Sequence, residues 1–398
     1  MKLLFVVSSL DLTQPFSATP AWWQLLKGLY EIGVDVIAAP YQGPAIESLW
    51  WRAAANPAQW QGDAFKTARD AVRRLIPARD ATQGTPTTDG SAESGSDRAV
   101  RAAAQTLIAP LWERHLDRLL SREPDIDAVI FITVPLNQLR GVAASIMAKH
   151  RKPVIYYDGD VPASLPSLHG FASGFRMYQG ADVREYAAFI SSSRAGGDLI
   201  KGMGAQAVHT LYYGADPSVF SRVDVPSQDV DLFFYGHGRE YRGEWIDSMI
   251  AQASRQLPDA TFAVRGTKLG DTGRAALLPY LSFSKLREYA CRSKINLVIT
   301  RAAHANVFAS SSSRPFELAS MGCCMVANPY LGLETWFEPG KEIIVVNSGE
   351  EAIDRYRHLL AHDDERRAIG DAAQRRLLAE HTFVHRARQL VEIVRGYL

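Results

Sequence analysis

The sequence contains few cysteines and no excess of charge of either sign. Three of its 398 residues are Cys and two of these are adjacent, so no disulfide framework is predicted and a reducing, cytoplasmic location is expected. The 44 Lys and Arg residues balance the 43 Asp and Glu residues, and no basic block indicates binding to nucleic acid. No apolar run approaches the length of a transmembrane helix.

The first predicted strand is not followed by the three-glycine loop that binds dinucleotides. Residues 2–7 are predicted to form this strand, residues 20–32 an amphipathic helix, and residues 34–38 the next strand. The loop after the first strand instead begins with Ser8 and Ser9. A classical NAD site is therefore excluded at this loop.

The chain contains two successive sets of alternating strands and helices, which indicates an α/β fold. The alternation pauses near a predicted hinge at 214–217 and restarts with a strand at 230–235. Each set is long enough for one doubly wound domain, and an apolar content of 47% suffices for two cores. Residues 77–97 are rich in Pro, Gly, Ser, Thr and Asp, and they are predicted to form a disordered surface insertion.

The most informative stretch is 310–328, which reads SSSSRPFELASMGCCMVAN. It follows an apolar strand at 295–299 and ends in a second apolar strand. Pro315 suits the first turn of a helix, where its missing N–H costs nothing, and Gly322 suits the left-handed position just past the helix end. This pattern predicts a strand, a serine-rich loop, a short helix and a strand. It places Glu317 in the first helical turn at the carboxyl edge of a sheet, where open α/β sheets bind ligands.

Two interpretations of Glu317 are open. It neutralises the positive end of the helix dipole, which is worth under about 1 kcal/mol, or it accepts hydrogen bonds from the diol of a ribose. The second interpretation is favoured by the serines beside Arg314 and by a second edge loop, GHGR at 236–239. Arg265 and Arg301 also follow predicted strands of the second half. Serine N–H groups and arginine forks at one edge would suit a pyrophosphate.

Asp158, Gly159 and Asp160 directly follow an apolar strand. Three interpretations of this motif are open: a simple turn, since Asp-Gly is a common turn dipeptide; a divalent metal site, since hard cations prefer carboxylates; or a place across a cleft from the nucleotide, where a carboxylate binds or deprotonates a sugar hydroxyl. His304 precedes the serine loop; it is either a surface residue or a second group facing that cleft.

The second half resembles the bacterial spore-maturation-protein-like glycosyltransferases, a group within the two-domain GT-B glycosyltransferases. The resemblance rests on five motifs: YGADPSVF at 213–220, INLVITR at 295–301, SSRPFELA at 312–319, GLETWFEPGKE at 332–342 and EHTFVHRA at 380–387. The first half resembles the group only in layout.

The resemblance implies two Rossmann-like domains facing across a cleft. Residues 1–213 would form the acceptor domain, 214–382 the nucleotide-sugar domain, and 383–398 a helix returning to the first domain. The donor would be a nucleoside-diphosphate sugar and the acceptor an unidentified small molecule or glycan. The resemblance implies no cofactor and no metal, and it leaves the oligomeric state open. A non-catalytic binding protein with the same fold is the alternative.

The resemblance implies that Glu317 holds the donor ribose. The residue patterns described above, placed in such a two-domain enzyme, lead to the other predicted roles. The predicted catalytic residues are Asp158, Asp160 and His304. The predicted acceptor-binding residues are Ser8, Ser9 and Asp11. The predicted donor-binding residues are Gly236, His237, Arg239, Arg265, Arg301, Ser311, Ser312, Ser313, Arg314 and Glu317. Many retaining members carry a second glutamate eight positions before the first, where this chain has Ala309, so a retaining and an inverting outcome both stay open.

Overall fold

Two parallel β-sheets organise the chain, seven strands from its first half and six from its second. The computed structural model describes residues 1–11, 21–62, 95–171, 177–238 and 242–398. Most of the predicted insertion at 77–97 therefore lies outside the described residues, and only its last three residues appear, at the start of a helix.

The first sheet has its strands in the order of a Rossmann domain with one strand added. In chain order the strands are β1 (Lys2–Ser9), β2 (Asp35–Gln42), β3 (Arg52–Ala53), β4 (Ala128–Ile132), β5 (Val154–Asp158), β6 (Ala188–Ser191) and β7 (Val208–Thr210). Across the sheet they lie in the order β3-β2-β1-β4-β5-β6-β7, and each neighbouring pair is parallel. The order reverses between β1 and β4, which is where such sheets bind ligands.

Within the described residues, five α-helices accompany this sheet: α1 (Ala21–Glu31), α2 (Gly95–Leu107), α3 (Ala109–Arg122), α4 (Val142–His150) and α5 (Arg194–Gly202). The sequence pattern over 97–122 indicated continuous helix, but the chain forms two helices that meet at Ile108. Pro110 explains the break, because it lacks an N–H and is tolerated only in the first turn of a new helix.

The second sheet repeats the same arrangement. Its strands are β8 (Val230–His237), β9 (Phe262–Thr267), β10 (Ala276–Leu277), β11 (Ser293–Val298), β12 (Met325–Ala327) and β13 (Ile344–Val345). They lie in the order β10-β9-β8-β11-β12-β13, and all neighbouring pairs are parallel. The order reverses between β8 and β11, so the second half has its own ligand-binding edge.

The helices of the second half begin with a continuous segment in which α6 (Gly243–Ile246) and α7 (Ala253–Gln256) flank a π-helix at Asp247–Gln252. The others are α8 (Phe283–Arg292), α9 (Ala302–Asn306), α10 (Ser313–Ser320), α11 (Gly349–Ala361), α12 (Asp363–Glu380) and α13 (Phe383–Arg395). Gly322 has a left-handed backbone (φ 69°) just after α10, as its position predicted. The short edge strands β3 and β10 were not predicted.

Helix α13 leaves the second half and packs on α1 of the first. Its apolar side chains join the core beneath β1, β4 and β5. At the crossing, Gly28 of α1 is so close to the last helix that a Cβ there would lie 2.8 Å from the carbonyl oxygen of Phe383. Arg386 is almost fully buried and ties the same helix to the chain between the sheets by donating a 2.9 Å hydrogen bond to the carbonyl of Tyr213.

Among the helices that the structure describes, none is both long and apolar enough to cross a membrane. The three cysteines are buried and form no disulfide. The predicted domain boundaries and the cytoplasmic location stay predictions.

Candidate active site between the two sheets

The two sheets meet through a seam of serines close to their carboxyl edges. Ser193 and Ser310 pair their hydroxyls at 2.6 Å and form a single antiparallel bridge. Ser311 donates both its N–H (2.9 Å) and its hydroxyl (2.8 Å) to the carbonyl of Ser192. All four side chains are buried. The loop before α10 therefore belongs to a contact between the halves, and the residues of both edges lie near it.

Glu317 is buried near the carboxyl edge of the second sheet, and its carboxylate is only partly hydrogen-bonded. One carboxylate oxygen accepts a 2.9 Å hydrogen bond from the Tyr235 hydroxyl, and the other has no hydrogen-bond partner within the described part of the chain. Burial raises the pKa of this carboxyl, while the Arg314 guanidinium and the hydroxyls of Tyr235 and Ser313 act in the opposite direction. An unpaired buried oxygen is costly, which favours a site completed by a ligand.

The placement of Glu317 along its helix differs from the prediction. Helix α10 begins at Ser313, so Glu317 is its fifth residue and lies in the second turn, not the first. The dipole effect decays within the first turn. Neutralising the helix end is therefore a weak explanation for this carboxylate, and the ligand interpretation gains support.

Arg314 lies flat against Tyr235, with its guanidinium carbon 3.7 Å from the ring centre. This arrangement requires Gly236, because a Cβ there would be 3.1 Å from the Arg314 guanidinium and 2.9 Å from the ring of Phe234. This glycine, one residue before the end of β8, thus leaves room for a cation beside Glu317. Small residues at such edges commonly allow close approach to a ligand.

The predicted edge loop at 236–239 begins inside a strand, because β8 extends through His237. The His237 ring contacts the Thr267 hydroxyl at 2.8 Å, and the Gly238 N–H donates to the Thr267 carbonyl at 2.9 Å. Arg239 lies outside the described residues, so its predicted donor-binding role stays untested.

Arg265 points from within β9 and not from a loop beyond it. Its side chain is 2% exposed, its guanidinium carbon is 3.9 Å from the centre of the Tyr280 ring, and its Nη2 has no partner among the described residues. It pairs in register with Tyr235 of β8. A buried guanidinium nitrogen without a partner beside the Glu317 cluster is suited to an anionic ligand.

Arg301 reaches across to the other half, where its Nη2 lies 2.8 Å from a carboxylate oxygen of Asp160. His304, three residues later, is completely buried and 3.4 Å from the same nitrogen. Burial, together with the charges of Arg301 and Arg242, lowers the pKa of His304 well below its usual value. This imidazole is neutral at physiological pH, which disfavours the general-acid form of the catalytic role predicted for it.

Asp158 is completely buried and acts as an anchor. It accepts hydrogen bonds from the Asp160 N–H (2.8 Å) and from the hydroxyls of Ser164 (2.6 Å) and Tyr178 (2.7 Å). Burial raises its pKa to about 6 against the opposing effect of these donors. With its oxygens occupied, Asp158 fits neither the predicted contact with substrate nor a metal ligand; its position fits that of a residue that holds Asp160.

The predicted phosphate-binding serines divide into two groups. The hydroxyl of Ser311 accepts the Tyr213 N–H at 3.0 Å in addition to its bonds to Ser192, so in this arrangement Ser311 is occupied by the seam and does not fit a phosphate contact. Ser312 is the N-cap residue of α10 and Ser313 its first residue. Both remain at the helix N-terminus, where an anion is stabilised.

A cavity of about 360 Å³ opens at the carboxyl edge of the first sheet, beside its switch point between β1 and β4. Ser8, Thr133, Gly159 and Asp160 supply polar atoms, and the apolar wall is formed by Ala21, Trp22, Ile132, Tyr157, Met177 and Tyr213. Of the predicted acceptor residues, Ser8 lines this cavity. Ser9 and Asp11 do not; the Ser9 hydroxyl accepts the Asp11 N–H at 3.1 Å.

Trp22 and Tyr213 were not predicted to belong to a site. Trp22 is partly buried and packs against the core of the first half. The Tyr213 hydroxyl donates to the Gly159 carbonyl, and the Gly159 N–H donates to Thr133 at 3.1 Å. The turn that carries Asp160 is thus fixed on both sides. No local sequence signal indicates these contacts, because they join segments far apart in the chain.

The sequence of the second half is similar to a known protein family. The model of a family described as glycosyl transferase-like matches residues 239–392, a range that includes Arg265, Arg301, Arg314 and Glu317. No protein of curated function matches the chain by sequence.

Solved structures match the chain over its whole length. Sucrose-phosphate synthase from Thermosynechococcus elongatus is 13% identical, with a TM-score of 0.64, and the match covers 100% of this chain and 99% of that one. HepE from Anabaena, solved with UDP-glucose, is 14% identical with a TM-score of 0.59, and both chains are covered completely. A trehalose-6-phosphate protein from E. coli, bound with UDP-2-fluoro glucose, is 11% identical with a TM-score of 0.62 and 98% coverage of both chains.

These matches confirm the predicted fold, two Rossmann-like domains of the GT-B type. Together with the family model, they confirm the resemblance to GT-B glycosyltransferases and indicate a transferase. They do not distinguish the spore-maturation-protein-like group within that class.

Proposed function

We propose that this chain is a glycosyltransferase that moves a sugar from a nucleoside diphosphate to an acceptor held by the first sheet. The observation that carries the proposal is the half-satisfied carboxylate of Glu317, buried beside Arg314 at the ligand-binding edge of the second sheet. A ribose hydroxyl would donate to the free oxygen and complete the site.

The diphosphate would lie among guanidinium groups and the N-terminus of α10. Arg265 lies on β9, opposite Tyr235 of β8, and Arg314 packs against the Tyr235 ring. Ser312 and Ser313 lie at the start of α10. As the glycosidic bond breaks, negative charge grows on the leaving diphosphate, and fixed cations and N–H groups would stabilise it. In this proposal the arginines take the place of a metal ion.

The acceptor would occupy the cavity at the edge of the first sheet. Asp160 lines this cavity and also contacts the second half through Arg301, so its carboxylate lies at the boundary between the two substrates. It would orient the acceptor hydroxyl, or deprotonate it if the configuration of the sugar is inverted. Asp158 would hold Asp160 in place.

The identity of the nucleobase in the donor is the first detail to test. Two structures that share this fold contain UDP-sugars: HepE with UDP-glucose and the E. coli trehalose-6-phosphate protein with UDP-2-fluoro glucose. We therefore propose uridine diphosphate as the leading candidate for the donor nucleotide.

A non-catalytic binding protein is the second candidate. It is favoured by Ala309, which stands where many retaining members carry a glutamate, and which has a left-handed backbone (φ 49°) against the seam. The two candidates differ in chemistry: the enzyme would slowly hydrolyse its donor without an acceptor, and a binding protein would not.

A thermal-shift screen with UDP, GDP, ADP, CMP and dTDP tests the proposal. A ligand at about 100 times its dissociation constant adds about 2.7 kcal/mol of stability. We expect one diphosphate to raise the Tm of the wild type but not that of Glu317→Ala. If every nucleotide leaves the Tm of the folded wild type unchanged, the donor site proposed here is wrong.

A further inference from the structure

The ion pair between Arg301 and Asp160 joins the two substrate sites. Its atoms are 2.8 Å apart, and the side chains are 20% and 25% exposed. Asp160 lines the acceptor cavity. Arg301 caps α9 just after β11, at the edge proposed to bind the diphosphate. The proposed partner of Arg301 is the diphosphate and that of Asp160 is the acceptor, yet in this structure the two side chains contact each other.

The backbone on the Asp160 side of this contact is fixed. The Asp160 N–H is held by Asp158, and the preceding Gly159 is held by Thr133 and Tyr213. Because this turn is anchored at three points, the contact would be broken by movement of the long Arg301 side chain and not by movement of Asp160. The adjacent His304 is neutral, since burial and the charges of Arg301 and Arg242 lower its pKa, and it therefore does not repel the Arg301 guanidinium.

The pair is not needed to hold the two halves together. The serine seam does so with buried, uncharged hydrogen bonds: the hydroxyls of Ser193 and Ser310 pair, and Ser311 donates to the Ser192 carbonyl. The ion pair is partly exposed, where charges are screened by water and the net gain is small. A partly exposed pair of this kind is easily exchanged for a stronger partner such as a diphosphate.

We propose that the Arg301–Asp160 pair is a charge switch that makes acceptor binding depend on the donor. This inference rests on the proposed function. Without donor, Asp160 holds Arg301. When the diphosphate enters, its charge draws Arg301 away, and the released oxygen of Asp160 becomes available to the acceptor hydroxyl. The donor therefore binds first, and the two substrates increase each other's affinity because such coupling is reciprocal.

If Asp160 acts as a switch, removing its charge should change donor affinity, whereas a purely structural ion pair would not have this effect. In the resting protein Asp160 competes with the diphosphate for Arg301, so its removal should strengthen donor binding. We expect Asp160→Asn to bind UDP about fivefold more tightly than the wild type, measured by isothermal titration calorimetry. Asp160→Glu restores the competing charge and should return the affinity toward the wild-type value. Arg301→Gln should weaken UDP binding, and adding Asp160→Asn to it should have no further effect.

A matched control is Asp182→Asn, which removes another carboxylate of the first half that pairs with an arginine, Arg184, at 2.8 Å. It should leave UDP affinity unchanged. Equal or weaker UDP binding by folded Asp160→Asn would overturn the switch. If Asp160→Asn does not fold, Asp160→Ser, which also removes the charge, takes its place: tighter UDP binding than the wild type supports the switch, and equal or weaker binding overturns it. Failure of UDP and the other diphosphates to bind the wild type would instead contradict the proposed function itself.

Discussion

The hydroxyl of Tyr235 donates a 2.9 Å hydrogen bond to one oxygen of the Glu317 carboxylate. A strand and a helix separated by 82 residues thus fix the group proposed to bind the ribose. We expect Tyr235→Phe to weaken binding of the diphosphate by about tenfold or more, because a hydrogen bond to a charged group contributes about 1.5 to 3 kcal/mol. Calorimetric titration measures the change.

Tyr280→Phe is the control for that experiment. Tyr280 is 55% exposed, and its ring lies against Arg265, a contact that phenylalanine keeps. It should leave the affinity unchanged. If Tyr235→Phe binds the diphosphate as well as the wild type does, Glu317 does not need this anchor and its proposed role loses support.

The close approach of Arg314 to Gly236 leads to a second prediction. A methyl group at Gly236 would crowd both Arg314 and the buried ring of Phe234. We expect Gly236→Ala to lower diphosphate affinity about tenfold and to lower the Tm, since overpacking typically costs about 1 to 3 kcal/mol. Gly243→Ala, where a Cβ meets nothing within 4 Å, should change neither quantity appreciably. Equal behaviour of the two variants would count against the proposed phosphate site.

A third prediction concerns pH and Asp158. Its pKa is about 6 in the folded protein, against 3.8 for an unperturbed group. The folded state therefore binds this proton more tightly, and the resulting stability is fully present below about pH 4 and is lost as pH rises through 6. A shift of about two units corresponds to about 3 kcal/mol. Urea unfolding of the wild type and of Asp158→Asn between pH 4 and 7 measures it.

The free energy of unfolding of Asp158→Asn relative to that of the wild type should rise with pH across this window. Asp364→Asn is the control, because its side chain is fully exposed and it is not among the groups that shift the pKa of Asp158. Parallel curves for the wild type and Asp158→Asn would mean that Asp158 stays ionised in the folded protein.

A fourth prediction tests the crossing of α1 and α13. A Cβ at Gly28 would lie 2.8 Å from a backbone oxygen of α13, and neither helix can yield without losing core contacts. Gly28→Ala should lower the free energy of unfolding by about 1 to 3 kcal/mol. Gly202→Ala, on α5 with no atom within 4 Å of the new methyl, should leave it unchanged or raise it by up to about 1 kcal/mol. Chemical denaturation of both variants gives the comparison.

Local patterns were sufficient to predict the longer strands, most of the helices and the position of Glu317 at a sheet edge, but not the short edge strands β3 and β10 or the break at Ile108. Pro315 lies in the first turn of α10 and Gly322 lies just after its end, as their backbone preferences dictate, and the alternation of strands and helices indicated the α/β fold. These features depend on neighbours within a few residues, which a single sequence contains.

The arrangement between the halves could not be predicted in this way. Asp160 and Arg301 were each identified, but their contact spans 141 residues and has no local signature. Ser311 has the composition of a phosphate-binding loop, yet it is occupied by the seam with Ser192. Trp22 resembles a core residue in sequence, and only the position of α1 beside β1 brings it to the cavity. Each of these contacts depends on how distant segments pack in the folded protein, which local sequence patterns do not show.

The return of α13 to the first sheet has a consequence for how the protein is made. Its residues Phe383, Ala387 and Leu390 complete the core that contains Leu25 and Leu29 of α1. The ribosome adds this helix more than 300 residues after α1, which at ordinary rates is tens of seconds later. During that interval the part of α1 that packs on α13 stays uncovered in the nascent chain, so we expect the first sheet to depend on chaperones until translation reaches α13.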